Sequence, residues 1–206
     1  MAESEALVDP AVSRAKFDRE LAQYRRLEEA YIRRGWWLVR AEFPEVFVVF
    51  GVPQLKPPAV AFGAILDFTN YDMWPPSVRL VDPFTRAAYR FRDLPNQLLQ
   101  RVPAAAPPPL LAALVGHQGQ VQGPPQALMQ AVSQEEIPFL CLRGVREYHT
   151  HPGHSGDLWL LRRGDGIGTL VDLMEQLHKY GVAPLTEYRR ELLIRVVGFE
   201  QESVPE

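Results

Sequence analysis

An α+β domain is predicted from three features of this sequence: an amphipathic segment near the N-terminus, four β-rich runs behind it, and a second amphipathic segment beginning near Thr169. The chain has 206 residues, long enough for one proper core. Apolar residues make up 47% and charged residues 23%, an ordinary globular balance, so a single domain over 1–206 is expected.

Asp9-Pro10 has the form of an N-cap followed by proline at the first helical position, where a missing N–H costs nothing. Phe17, Leu21, Tyr24 and Tyr31 then recur at helical spacing among Arg, Glu and Gln, which predicts one helix over 10–34 ending near Gly35. Trp36-Trp37-Leu38-Val39 and Val46-Phe47-Val48-Val49-Phe50, joined through Phe43-Pro44-Glu45, read as a β-hairpin that stops at Gly51. Val60 to Phe68 forms a third strand. Ser77 to Val81 forms a fourth, ended by Asp82-Pro83. The expectation is a helix followed by a four-stranded antiparallel meander.

Residues 101–137 break that regularity. Pro103, Pro107, Pro108, Pro109, Pro124 and Pro125, with Gly116, Gly119 and Gly123, interrupt short apolar pieces such as Leu110 to Val115. Too few core-forming residues are left for a separate domain, so this reads as an irregular proline-rich insertion. Further on, Thr169 and Asp172 resemble a capping pair. Leu170, Leu173, Met174 and Leu177 make an apolar stripe, and Gly181 can close that helix. Leu185 to Val197 suits a final helix or a strand equally. Gly164-Asp165-Gly166-Ile167-Gly168 lacks the strand and lysine of a phosphate-binding loop and is read as a turn.

A net charge of −3 gives no reason to expect attraction to nucleic acid or to an anionic membrane, so the partner is expected to be a protein or a small molecule. No apolar run approaches the roughly 20 residues that span a bilayer. Met1 to Asp9 lacks the basic and apolar regions of a signal peptide. A single cysteine, Cys141, rules out an internal disulfide, and a reducing, cytoplasmic setting is expected.

The chemistry is concentrated between Cys141 and Asp157. Within that stretch lie Glu147, His149, His151 and His154, three of the five histidines of the chain. In an extended strand His149 and His151 would leave the same face, and Pro152-Gly153 allows a turn bringing His154 back towards them. A thiolate, imidazoles and a carboxylate suit a first-row transition metal, with zinc the default. Cys141 with two or three histidines, and Glu147 as ligand or base, would fill a tetrahedral site; three ligands and a water would make it catalytic. The same residues also suit a metal-free thiol site. They suit equally a buried cysteine beside solvated histidines.

His149-Thr150-His151-Pro152 resembles the His-x-His-Pro core of JAB-type metalloproteases, although Ser155 and Asp157 follow sooner than that motif places them. A broader resemblance covers most of residues 10–180. Tyr71 with Pro75-Pro76-Ser77-Val78 looks like the Tyr/Pro-Pro signature that follows the third strand of the ubiquitin-conjugating enzyme (UBC) fold. Cys141-Leu142 falls where the conjugating Cys-Leu would lie, and Trp159 and the helix from Thr169 look like the elements after it. More specifically, the chain resembles a bacterial family of predicted metal-binding domains with a Cys, Glu, His, His signature, associated with ubiquitin-like modification systems. Cys141 and Glu147 match the first two positions. The other two come from His149, His151 and His154, and the Glu-x-His spacing favours His149.

The resemblance implies a UBC-like domain with a metal, zinc by default, at the position of the conjugating cysteine, and with Cys141 and Glu147 as catalytic residues if the site is active. Its implied partners are a ubiquitin-like protein or the enzymes that conjugate or remove it. One alternative is an active conjugating-type enzyme with Cys141 as thioester nucleophile. The His-Pro-Asn that conjugating enzymes place shortly before the cysteine is absent, and Leu94-Pro95-Asn96 lies far upstream. The other alternative is a non-catalytic interaction module using Trp74-Pro75-Pro76 and the proline-rich insertion.

Overall fold

The computed structural model of the protein describes residues 7–103 and 122–188. It is an α+β structure with an N-terminal helix, a four-stranded antiparallel sheet and C-terminal helices. Helix α1 spans Pro10–Arg25. Asp9 is its N-cap, with a side-chain oxygen that accepts from the Ala11 N–H, and Pro10 occupies the first turn. Its buried positions, Ser13, Phe17, Glu20, Leu21 and Tyr24, fall on one helical face.

The helix expected over 10–34 is two helices. The chain leaves helical geometry at Leu27 (φ −122°, ψ 13°), and α2 runs from Glu28–Arg33. The break sets Tyr31 between Tyr24 and Trp36, with ring centroids 5.0 and 4.7 Å away. That aromatic stack is a tertiary gain that local periodicity does not register.

Strands β1 (Trp36–Glu42), β2 (Glu45–Val52), β3 (Ala59–Asp67) and β4 (Ser77–Val81) follow in the sheet in that same order, as the meander requires. Alternation gives each strand an inner and an outer set. Val46, Leu66 and Val78 form one cross-strand row, and Val48, Ala64 and Leu80 the next, all in the main core. Phe47, Val49, Ile65 and Val81 form a smaller buried cluster, on the opposite face by the same alternation.

The proline-rich region is only partly irregular. Leu99–Pro103 (β5) pairs with Gln122–Ala127 (β6), and Met129–Gln130 (β7) pairs with Phe139–Leu140 (β8). Pro124 and Pro125 sit in a two-stranded ribbon, where a strand has an unpaired side that needs no N–H. Leu128 and Met129 are buried in the main core. The middle of the predicted insertion, 104–121, and most of the Leu185 to Val197 stretch lie outside the described residues.

Two short helices, α3 (Arg146–Thr150) and α4 (Trp159–Arg162), precede α5 (Leu170–Gly181). Helix α5 packs on α1. The Thr169 hydroxyl accepts from the Asp172 N–H, as the capping pair predicts, while the Asp172 carboxylate reaches one residue further back and accepts from the Gly168 N–H rather than from that of Thr169. Leu170, Leu173, Met174 and Leu177 close the core, each fully buried aliphatic side chain contributing about 1.5–3 kcal/mol. Glu20, 2% exposed, accepts hydrogen bonds from the Tyr71 hydroxyl (3.2 Å) and the Leu170 N–H (3.3 Å), so it ties α1 to the start of α5. No helix among the described residues is long and apolar enough to cross a membrane.

The other end of α5 is tied to α2. The Arg34 guanidinium donates to both oxygens of Glu175 (2.5 and 2.8 Å) and lies 4.2 Å over the Trp36 ring. His178 is beside it, with Nδ1 3.4 Å from the same guanidinium. Burial, reinforced by the Arg34 charge, holds this imidazole below its ordinary 6.5 against the opposing pull of Glu175. A depressed folded value means that the unfolded chain binds the proton better. The contribution is therefore complete above about pH 6.5 and is lost as pH falls towards the lower folded value. The melting temperature is expected to drop between about pH 7 and pH 5, and to drop less in His178→Gln; matching profiles for the two proteins would refute this.

Candidate cysteine–histidine site

Cys141 lies immediately after β8, and its N–H donates to the Leu128 carbonyl at 2.7 Å. The chain then turns at Gly144, whose φ of +86° favours glycine. A side chain at Gly144 would put its Cβ 2.5 Å from the Gly168 nitrogen, so the two loops meet backbone to backbone. The turn leads into α3, which Arg146 fastens to the β3–β4 connection. Its guanidinium donates to the carbonyls of Pro75 (3.2 Å), Asp67 (3.3 Å) and Thr69 (2.7 Å), and its own N–H donates to the Pro76 carbonyl (2.9 Å).

Helix α3 corrects the expectation that His149 and His151 lie on one strand face. His149 is helical and His151 is the residue that ends the helix. The His149 Nε2 accepts from the Gly144 N–H (3.1 Å). Its Nδ1 is 2.7 Å from the Asp157 carbonyl, which only accepts, so the proton is assigned to Nδ1. Both ring nitrogens are thus occupied in holding the loop. His151 accepts from the Gly153 N–H through Nδ1 and stacks on Phe139. Glu147 accepts from the Ser77 hydroxyl through Oε1, while its buried Oε2 has no partner.

His154 is the predicted residue that reaches the cysteine. The 3₁₀ turn Pro152–His154 brings its Nε2 to 3.3 Å from the Cys141 Sγ. The Pro152-Gly153 turn thus returns His154 as expected, but to the thiol rather than to the other two histidines. Among the described residues, no three His, Cys, Asp or Glu side chains are grouped so as to hold a metal ion. The five-residue ligand set does not fit a metal in this arrangement.

Burial pushes the Cys141 thiol above its ordinary value. Near neutral pH it is therefore the protonated thiol, which reacts only if a neighbour removes its proton. The thiol opens on a cleft of about 530 Å³ lined also by Gln100, Leu142, Ile167, Asp172, Lys179 and Tyr180. Asn96, the nearest sequence match to an oxyanion-stabilising asparagine, is committed elsewhere: its side-chain N–H donates to the Gly181 carbonyl and its oxygen accepts from the Leu98 N–H.

Two further residues organise the site. The Asp157 carboxylate receives the Tyr148 hydroxyl (3.1 Å) and ion-pairs with Arg143 (2.9 Å) and Arg162 (3.0 Å). Burial raises its carboxyl, but those hydrogen bonds and positive charges outweigh it and hold the group below the usual carboxylate range. Tyr148 is 9% exposed and stacks on His154, with centroids 4.0 Å apart and planes 21° from parallel. Neither carries a sequence signal beyond falling inside the histidine-rich stretch. The Trp159 indole donates to the Asp72 carbonyl (2.8 Å), which joins α4 to the Tyr71–Pro76 loop.

Fold and site together define an α+β protein whose lone thiol pairs with a histidine at the edge of a cleft. The model of the Y4jH-like family, described as the Y4jH family, matches residues 8–185. The chain is 41% identical over 201 residues to "Uncharacterized protein y4jH" of Sinorhizobium fredii (strain NBRC 101917 / NGR234), with 97% of each chain covered. This chain belongs to the Y4jH-like family.

Proposed function

We propose that the protein is a UBC-like domain of a bacterial ubiquitin-like modification system in which Cys141 accepts the C-terminal acyl group of the ubiquitin-like protein as a thioester. The observation carrying this reading is the 3.3 Å approach of His154 Nε2 to the Cys141 Sγ at the cleft. The run of elements supports it: a helix, a sequentially ordered meander, the Tyr71 and Pro75-Pro76 loop, the cysteine, Trp159 and α5.

The step balances as a thioester exchange. His154 Nε2 takes the Sγ proton while Sγ bonds to the carbonyl carbon of an activated acyl thioester carried by another protein. The old C–S bond then breaks, and the departing thiolate takes the proton back from His154. Incubation with an activating enzyme and a ubiquitin-like protein is expected to give a reductant-sensitive adduct on Cys141. No adduct with any such partner from the genomic neighbourhood would overturn the proposal.

A metal centre is the second reading, favoured by two separate observations: the buried Oε2 of Glu147 has no partner, and Cys141 pairs with His154. It requires Glu147 or another histidine to leave its present partners. Elemental analysis separates the two. About one zinc per chain, lost in both Cys141→Ser and His154→Gln, would replace the thiol reading.

A further inference from the structure

We propose that Tyr148 is the positioning residue for His154, fixing the plane of the imidazole so that Nε2 faces the Cys141 Sγ. This rests on the thiol reading above and deepens it. His154 sits in a 3₁₀ turn of three residues, Pro152–His154, which constrains its backbone but leaves its side-chain torsions free. The Tyr148 ring restrains them, lying 4.0 Å away and 21° from parallel.

Tyr148 is itself held from both ends. Its backbone belongs to α3, which Arg146 fastens to the β3–β4 connection. Its hydroxyl donates to Asp157, and the Asp157 carbonyl is 2.7 Å from His149 Nδ1. His149 in turn accepts from Gly144, three residues after the cysteine. The imidazole plane and the thiol are therefore referred to one framework. The neighbouring rings do not replace this contact: His151 is 5.7 Å from His154 and 51° from parallel.

The ring is the positioning element and the hydroxyl its anchor, so the two can be separated by substitution. Because the chain has one cysteine, iodoacetamide alkylation of the intact protein near neutral pH reads Cys141 directly. Relative to wild type, Tyr148→Leu is expected to slow alkylation by about tenfold or more, since a displaced base loses much of its effect. Tyr148→Phe keeps the face and should restore the rate to within about twofold. His154→Gln should be slowest. The His154 ring-proton resonance should also be shifted upfield in wild type and Tyr148→Phe by the aromatic face.

A wild-type rate in folded Tyr148→Leu, with His154→Gln slow, would overturn the positioning role and leave the thiol reading standing. A wild-type rate in His154→Gln would instead overturn His154 as the base. If Tyr148→Leu does not fold, the resonance decides: an unshifted His154 signal in wild type overturns the proposal.

Discussion

His154→Gln is expected to lower the rate of thioester formation on Cys141 by about a hundredfold, the low end of what a positioned general base contributes. The cause is the state of the thiol. Burial raises the Cys141 pKa, so at neutral pH little thiolate forms without a base 3.3 Å away. Glutamine fills similar space and cannot take a proton. With the base gone, the rate should climb as pH rises through the alkaline range and thiolate forms unaided, so the gap to wild type narrows. Single-turnover transfer followed across pH checks this. A constant ratio between the two proteins at every pH would show that His154 shapes the site without moving a proton.

The second large effect is on stability. Trp36→Ala is expected to cost about 3–5 kcal/mol, lowering the urea midpoint strongly. Trp36 is fully buried; it stacks on Tyr31 at 4.7 Å, packs at 6.1 Å from Phe50 and carries Arg34 over its face. One truncation therefore loosens α2, β1, β2 and α5 together. Trp36→Phe separates packing from polarity. The indole N–H is buried without a hydrogen-bond partner, so phenylalanine removes an unmet donor along with some volume. Its cost should be a fraction of that for alanine. Equal costs would mean that the second ring of the indole provides most of the packing.

The strands were legible because runs of β-branched and aromatic residues broken by Gly and Pro leave few other solutions; β4 begins and ends where the sequence places it, at Ser77 and Val81, whereas β2 runs through Gly51 to Val52 instead of stopping there. The break at Leu27 was not legible, because the stack of Tyr24, Tyr31 and Trp36 is a long-range gain. Pro124 and Pro125 hid β6, since proline argues against a strand unless its N–H side is unpaired. At the site, the density of histidines drew attention to the segment but did not disclose the contacts each one makes. His149 looks like a ligand in sequence and serves as a bracket between Gly144 and Asp157. His154 meets Cys141 because a turn returns it; Pro152 and Gly153 announced the turn, but as one leading back to His149 and His151, not to the thiol.

The hydrogen bond from Leu170 to Glu20 spans most of the polypeptide, and the apolar stripe of α5 seals the inner face of a sheet that ends at Val81. On the ribosome, where chains grow at about 5–20 residues per second, the meander is complete several seconds before α5 emerges. Through that interval the core that Val48, Phe50, Phe62 and Leu66 share with the α5 stripe is incomplete, and the buried carboxylate of Glu20 lacks the Leu170 N–H. The nascent chain thus passes through a stage with an unsealed apolar sheet, the kind of surface that holdase chaperones bind.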